Sequence, residues 1–299
     1  MVKKMTKGRW KDLLFYAIVL AWPITQFCVF YVGVNINSVL MAFQSTDVAT
    51  NTTKFVWFEN FERLFDNIQN DLLYIGALKN SLKFWAQSLF IAMPVGLLFS
   101  YYIYKKKPFG AFYQVILFMP SILAAMVLAT MYRYFVDWYI PDIANKTFNT
   151  ELPRLFSTPE NTFNMVLLYS LWFSFGTSSL MYLGAMNGIS ESVIEAGKID
   201  GANSLQEFIF IILPQIFSTI SVFIVVGIAG IFTVQGGLFE FFGEKAANEY
   251  QTIGYFMFAK ALSADMHNYL AAMGIVVTII IAPTCMILRK VFAKIDPMN

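Results

Sequence analysis

The sequence predicts an all-α integral membrane protein with six transmembrane helices. Three observations predict it. First, 58% of the 299 residues are hydrophobic and 13% are charged, against about 45–50% and roughly 25% in an average soluble domain. So few charges cannot cover a soluble globule, which argues against a soluble enzyme, a disordered chain or a disulfide scaffold. Second, six stretches contain no Asp, Glu, Lys or Arg: 13–46, 84–104, 108–132, 161–190, 208–239 and 266–288. Each holds one helix of the ~20 residues that a hydrocarbon core of ~30 Å requires, and none comfortably holds two. Third, the runs are continuously apolar and do not alternate, so they are helices and not strands of a membrane barrel.

Within one domain, 1–299, the spans are predicted at about 13–35, 80–104, 109–132, 162–186, 208–235 and 268–288. Span 1 follows a basic tail. It is too long for a signal-peptide core and shows no clear small-residue cleavage site, so it reads as a retained helix. Pro23 is tolerable there if neighbours satisfy the freed carbonyl. The segment 47–79 is polar and then aromatic, and its Asn51-Thr52-Thr53, like Asn145-Lys146-Thr147, is a formal glycosylation sequon. Span 3 carries Pro120. The connection 133–160, with Pro141 and Pro153, is expected to have little regular structure.

An even number of spans puts both termini on one side. Lys3, Lys4, Lys7, Arg9 and Lys11, then Lys105, Lys106 and Lys107, then Arg289, Lys290 and Lys294 mark that side as cytoplasmic. The connections 47–83, 133–160 and 240–265 are then external. The net charge of +2 is an orientation signal, with no basic face for nucleic acid. Cys28 and Cys285 lie in spans as packing residues, with no metal pattern or disulfide framework. His267, the single histidine, reads as structural. With no nucleophile–base pair or metal cluster, an enzyme has no residues to stand on.

The connection 187–214 is more than a turn. Residues 190–199 read as a helix, with Ser190 able to cap it and Glu191 and Glu195 near its favourable N-terminal end. Glu195 and Lys198 are i,i+3 neighbours. Asp200-Gly201 stops the helix, because Gly accepts backbone angles other residues resist. A second helical segment starts at about Asn203 and enters span 5, with Pro214 near its start. Ala196, Gly197, Gly201 and Ala202 keep the corner low in profile, as a connector or as a surface another protein could approach.

This segment resembles the EAA loop of ABC-importer permeases. That pattern is Glu-Ala-Ala, two residues, Asp-Gly-Ala, five residues, Phe, two residues, Ile, one residue, Leu-Pro. The chain supplies Glu195, Ala196, Asp200, Gly201, Ala202, Phe208, Ile211, Leu213 and Pro214 at those spacings. Gly197 stands for the second Ala, and Ile189-Ser190 for the usual Ile-Pro. Other segments resemble the carbohydrate-uptake branch, of the maltose and multiple-sugar first-permease type. Phe55-Val56-Trp57-Phe58-Glu59-Asn60-Phe61 is similar to its external Phe-Val-Gly-Leu-x-Asn-Phe segment, and Asn80-Ser81-Leu82 to the Asn-Thr-Leu opening span 2. Pro120 matches a span 3 proline and Trp172 a span 4 tryptophan. Gly236-Gly237-Leu238 stands earlier than the family's Gly-Gly-Pro and is not counted as a match.

The resemblance implies an ABC type I importer permease architecture in a bacterial plasma (inner) membrane. It makes 187–214 a cytoplasmic coupling segment, with Glu195, Ala196, Gly197, Asp200, Gly201 and Ala202 docking on an ATPase. It implies a second homologous permease, two ATPase subunits that bind ATP and Mg, an extracytoplasmic solute-binding protein, and a sugar or oligosaccharide as solute. No cofactor is expected in this chain, which has no G-x-x-x-x-G-K-[ST] loop.

Two spans carry polar or small stripes. In span 4, Ser170, Ser174 and Thr177 share one helical face, flanked by Trp172 and Tyr169. In span 5, Gly230, Thr233 and Gly237 share a face, with Gln235 nearby. Helix packing explains such stripes. A solute path offering hydroxyls and aromatic faces explains them too, and the resemblance places spans 4 and 5 at the site. No span holds a carboxylate, Lys or Arg in its middle, which argues against an ion-coupled carrier and for a neutral solute. The same fold carrying a polyol phosphate or peptide is the alternative; an autonomous channel or carrier ranks behind it.

Overall fold

The computed structural model describes residues 7–47, 50, 52–149 and 152–297. Lys3, Lys4 and Asn51 of the first sequon lie outside the described residues. Among those described, four helices are long and apolar enough to cross a membrane: α1 (Leu13–Ala42), α3 (Leu72–Tyr104), α6 (Pro159–Asn187) and α12 (His267–Ile295). Two bent pairs make six: α4 (Gly110–Ile122) with α5 (Ala125–Phe148), and α8 (Ser204–Gln215) with α9 (Phe217–Gly230). Hydroxyls inside these helices bond to their own backbone: Thr25 Oγ1 to the Ala21 carbonyl and Thr284 Oγ1 to the Ile280 carbonyl. Such bonds leave no donor unsatisfied in lipid.

The structure corrects several boundaries. α3 starts at Leu72, because Asp71 caps it by accepting from the Leu73 amide at 2.9 Å. Lys79 and Lys83 had hidden its first two turns from a search for charge-free runs. Span 3 is not one straight helix. α4 has 13 residues, about 20 Å of helix, well short of a bilayer core. Leu123 and Ala124 are extended, and α5 leaves at 108°. The connection after span 3 is helical to Phe148, which overturns the expectation of little regular structure. Widened π turns at Phe135–Tyr139 precede Pro141, which has no amide to donate inside the continuous helix. Span 5 bends by 71° at Ile216, two residues after Pro214.

The chain divides into two compact units. The first runs to Asp66 and includes Ser263–Val276. In it, β1 (Gln44–Asp47) pairs antiparallel with β2 (Thr52–Phe55), in register Gln44 to Phe55. The helix α2 (Glu59–Asn70) follows. The aromatic segment folds on itself, with Phe43 against Phe55, Phe58 and Phe61. Asn60 is buried and donates to the Ala42 and Gln44 carbonyls at 2.9 and 2.8 Å. Asn268 donates to the Met41 carbonyl at 3.0 Å.

The second unit runs from Asn67 to Leu262 and adds the chain from Val277. α6 runs through it. Gly176 lets the backbone at Leu117 of α4 come against α6; a β-carbon there would collide with the Leu117 carbonyl. Two apolar clusters sit at opposite ends of α6. One gathers Phe84, Leu128, Phe163, Tyr169, Phe241 and Tyr255. The other gathers Leu97, Tyr182, Met186, Ile194, Phe208 and Ile212.

Candidate functional site

The segment after α6 is built by its own caps. Helix α7 covers Glu191–Ile199. Its end is a Schellman closure: the Gly201 amide donates to the Lys198 carbonyl at 3.1 Å and the Ala202 amide to the Gly197 carbonyl at 3.0 Å. Gly201 has φ +79°, the left-handed conformation this closure needs. A capping box then starts α8. Asn203 Oδ1 accepts from the Leu205 and Gln206 amides at 3.0 and 2.9 Å, and Gln206 Oε1 accepts from the Asn203 amide at 2.9 Å. Two details differ from the sequence reading. Ser190 does not cap α7; its hydroxyl pairs with that of Ser192 at 2.7 Å. Among the described residues Glu195 and Lys198 form no ion pair.

The predicted coupling residues divide between two faces. Glu195, Ala196, Asp200 and Gly201 are exposed and Ala202 is half-buried. Gly197 is buried on the opposite face, where a methyl would strike the tip of Ile211. Beside it, Ile194 packs among Leu97, Tyr182, Met186, Phe208 and Ile212.

Sequence reasoning missed the anchor beneath this segment. Lys105 Nζ donates to both carboxylate oxygens of Glu207 at 2.8 Å, and the Glu207 side chain is 4% exposed. The Tyr101 hydroxyl donates to the Ser204 carbonyl at 2.9 Å, and its ring packs on Phe208. In the sequence Lys105 is one of three lysines that mark orientation, and Glu207 lies in the unassigned gap of the loop pattern. An acidic residue entering an apolar run was the available signal.

The predicted solute-path residues are not gathered into one site. The Ser170 and Ser174 hydroxyls donate back to the Leu167 and Leu171 carbonyls, at 2.8 and 2.9 Å, and Thr177 is exposed. Trp172 does not flank them. At 100° per residue it points to the other side of α6, where it stacks on Tyr132 with centroids 6.5 Å apart. The shared face proposed for Gly230, Thr233 and Gly237 does not exist, because α9 ends at Gly230. Thr233 and Gln235 lie in the turn beyond it, and Gly236 and Gly237 have φ +65° and +85°. A cavity of about 50 Å³ lies instead among Trp85, Ser88, Ser178, Tyr182, Phe223 and Gly227, room for water only.

The chain beyond Gly230 is tied to α3. Gly236 lies against the Phe84 ring and Gly237 against Tyr169. Asn80 donates to the Glu249 and Gln251 carbonyls at 2.9 and 3.0 Å, and Ser81 Oγ accepts from the Ile253 amide at 3.0 Å. The helices α10 (Leu238–Phe242) and α11 (Ile253–Ala261) are joined there through Tyr255. Its hydroxyl donates to the Gly243 carbonyl at 2.7 Å and accepts from the Ala246 amide at 2.9 Å. Burial raises the Tyr255 phenol above its usual pKa, the Ala246 bond opposing.

Residues 77–298 match the family described as binding-protein-dependent transport system inner membrane component. Among curated proteins, the chain is 24% identical to a probable ABC transporter permease protein YurN of Bacillus subtilis, covering 90% of this chain and 93% of that one. It is 25% identical to the arabinooligosaccharides transport system permease protein AraP of the same organism, covering 94% and 91%. It is 26% identical to the sn-glycerol-3-phosphate transport system permease protein UgpA of Salmonella typhimurium, covering 74% and 72%. Among solved structures, a chain of a bacterial ABC transporter involved in the import of the acidic polysaccharide alginate superposes with TM-score 0.81, at 22% identity, over 97% of this chain and 98% of that one.

Proposed function

The chain belongs to the family of binding-protein-dependent transport system inner membrane components, and from that premise we propose that it is the first-permease subunit of an ATP-driven importer of a neutral sugar or oligosaccharide. The observation that carries the reading is the helix Glu191–Ile199, closed at its C-terminal end by Gly201, which seats Ile194 and Gly197 inward and presents Glu195, Ala196, Asp200 and Gly201 outward. It would dock on one of two ATPase subunits, which bind the ATP and Mg. Closure of the ATPase pair would pass through Phe208 and Ile212 into the helices around α6. A second homologous permease would complete the pore, and an extracytoplasmic binding protein would deliver solute on the opposite side. Both termini are cytoplasmic in this reading, by the basic residues beside α1, α3 and α12.

The sugar class rests on the arabinooligosaccharide relative and on the six long apolar stretches without Asp, Glu, Lys or Arg. An anionic solute is the second reading, favoured by the glycerol-phosphate relative. Ser170, Trp172, Ser174, Thr177, Gly230, Thr233 and Gln235 remain the proposed path residues, through a rearrangement that turns α6 and the turn beyond α9 toward a common space.

Gly201→Asp tests the coupling assignment. A β-carbon at Gly201 meets open space within this chain, and Asp tolerates the left-handed φ of +79° better than most residues, so the variant should insert with a modest loss of stability yet lose uptake in cells supplying all partners. Normal uptake of radiolabelled sugar by that variant would remove the coupling assignment.

A further inference from the structure

At the end of α6 away from the coupling segment, a cleft of about 370 Å³ opens between α5, the loop before α6, and α10. The volume falls in the ~300–1,000 Å³ range of small-molecule sites. Its polar groups are set in place before any ligand arrives. Arg133 Nε lies 3.9 Å from Asp137 Oδ2, and its guanidinium sits beside the Phe156 and Phe242 rings. Asp137 Oδ1 accepts from the Phe156 amide at 2.9 Å. The Arg154 guanidinium lies on the Trp138 ring, 3.8 Å from its centroid, with no carboxylate partner among the described residues. Glu240 Oε2 is buried and has no hydrogen-bond partner among the described residues. A buried carboxylate oxygen without a donor is costly and calls for an explanation.

The charges decide what could supply that donor. Among the described residues two guanidiniums and two carboxylates line the cleft and cancel, leaving no net charge to attract an ion. A lysine side chain would satisfy Glu240 but face both arginines. A carboxylate would satisfy the arginines but face Glu240 and Asp137. A sugar hydroxyl donates and accepts at once, so one polyol can serve both signs. Arg154, held flat by Trp138, offers its donors in a fixed plane at little entropic cost.

We propose that this cleft binds one ring of a neutral saccharide, its hydroxyls donating to Glu240 Oε2 and accepting from Arg133 and Arg154. Under the importer reading, on which the solute class rests, the cleft faces outward. It would be an entry subsite where sugar arriving from the binding protein is first held.

The test uses the purified importer complex in lipid nanodiscs, without its binding protein. The probe is a mixture of oligosaccharides from hydrolysed arabinan, starch and alginate, and binding is read by saturation-transfer NMR. Wild type should bind at least one neutral oligosaccharide, and Arg154→Ala and Glu240→Gln should each weaken that binding about tenfold or more. Glu240→Gln keeps the side-chain volume, so it decides the matter if Arg154→Ala fails to fold. Binding of no neutral saccharide by wild type, or of alginate fragments alone, would overturn the proposal. So would wild-type affinity in Glu240→Gln, or variants that bind sugar normally but lose the binding protein, which would make the cleft a protein-docking pocket. Failure of the importer reading is seen separately, as absence of ATP-dependent uptake of any saccharide by the wild-type complex with its binding protein; failure of the cleft alone leaves that uptake intact in both variants.

Discussion

The two connectors that bracket α9 are built in opposite ways. The one before it, residues 190–216, is held by bonds between near neighbours. The Gly201, Ala202, Leu205 and Gln206 amides all find acceptors within five residues. The one after it, residues 231–255, is held from afar: Asn80 and Ser81 of α3 bond to it across 169 to 172 residues of sequence. A helix closed by its own caps keeps its shape when its neighbours shift. A loop held by distant side chains cannot shift without them. The first design suits a part that must dock and transmit force, and the second suits a fixed gate or floor.

Two ties to α3 are exceptions, Tyr101 to the Ser204 carbonyl and Lys105 to Glu207, and breaking the charged one should have the largest effect on this contrast. Lys105→Met leaves a nearly buried carboxylate uncompensated, which costs about 3–5 kcal/mol. The thermal unfolding midpoint of the purified chain should fall sharply. Adding Glu207→Leu should restore most of the loss, since a well-packed apolar pair is often as stable as a buried ion pair. An unchanged midpoint in the single variant would mean that the caps alone hold the segment.

The far-held connector gives a smaller, pH-dependent effect. Tyr255→Phe leaves the Gly243 carbonyl and the Ala246 amide without their partner, a cost of about 1–3 kcal/mol. The sign with pH follows from the raised phenol. A group whose folded pKa lies above its unfolded value of about 10 stabilises fully below that value. The contribution is lost as pH rises through the folded pKa. Wild type should therefore exceed the variant in denaturant stability at pH 8, with the gap closing above about pH 10. A gap independent of pH would mean that the hydroxyl does not titrate in place.

This division also sets what the sequence could disclose. The shape of residues 190–216 was legible because its chemistry is local: Gly201 for the left-handed turn, a second helical segment from about Asn203, and a charge-free run after it. The long apolar helices were legible from charge alone, four as single helices and two as bent pairs. The bend of 108° after Ile122 was not, since nothing in Ser121-Ile122-Leu123-Ala124 forbids a continuous helix. Nor was the turn at Gly236-Gly237, whose close neighbours are Phe84 and Tyr169. The path residues suffered for the same reason, because a shared face at 230, 233 and 237 presumes a helix that tertiary contacts end at Gly230. Asn80-Ser81 was noticed as a pattern, but its purpose, holding 249–253, is visible only in three dimensions.

The smallest effect belongs to Gly197, and it separates fit from conformation. Gly201 has φ +79° in open space, so any side chain there pays in backbone strain and in docking. Gly197 is in an ordinary helical conformation with a crowded side. Ala at 197 gains up to about 1 kcal/mol of helix propensity. It must displace only the Cδ1 tip of Ile211, which can rotate away. The two terms oppose each other, so Gly197→Ala should change stability by less than about 1 kcal/mol and leave uptake near wild type. A loss above about 2 kcal/mol, in the range of core overpacking, would show that Ile211 is fixed by the cluster around Phe208. The seat of the coupling helix would then be as rigid as its caps.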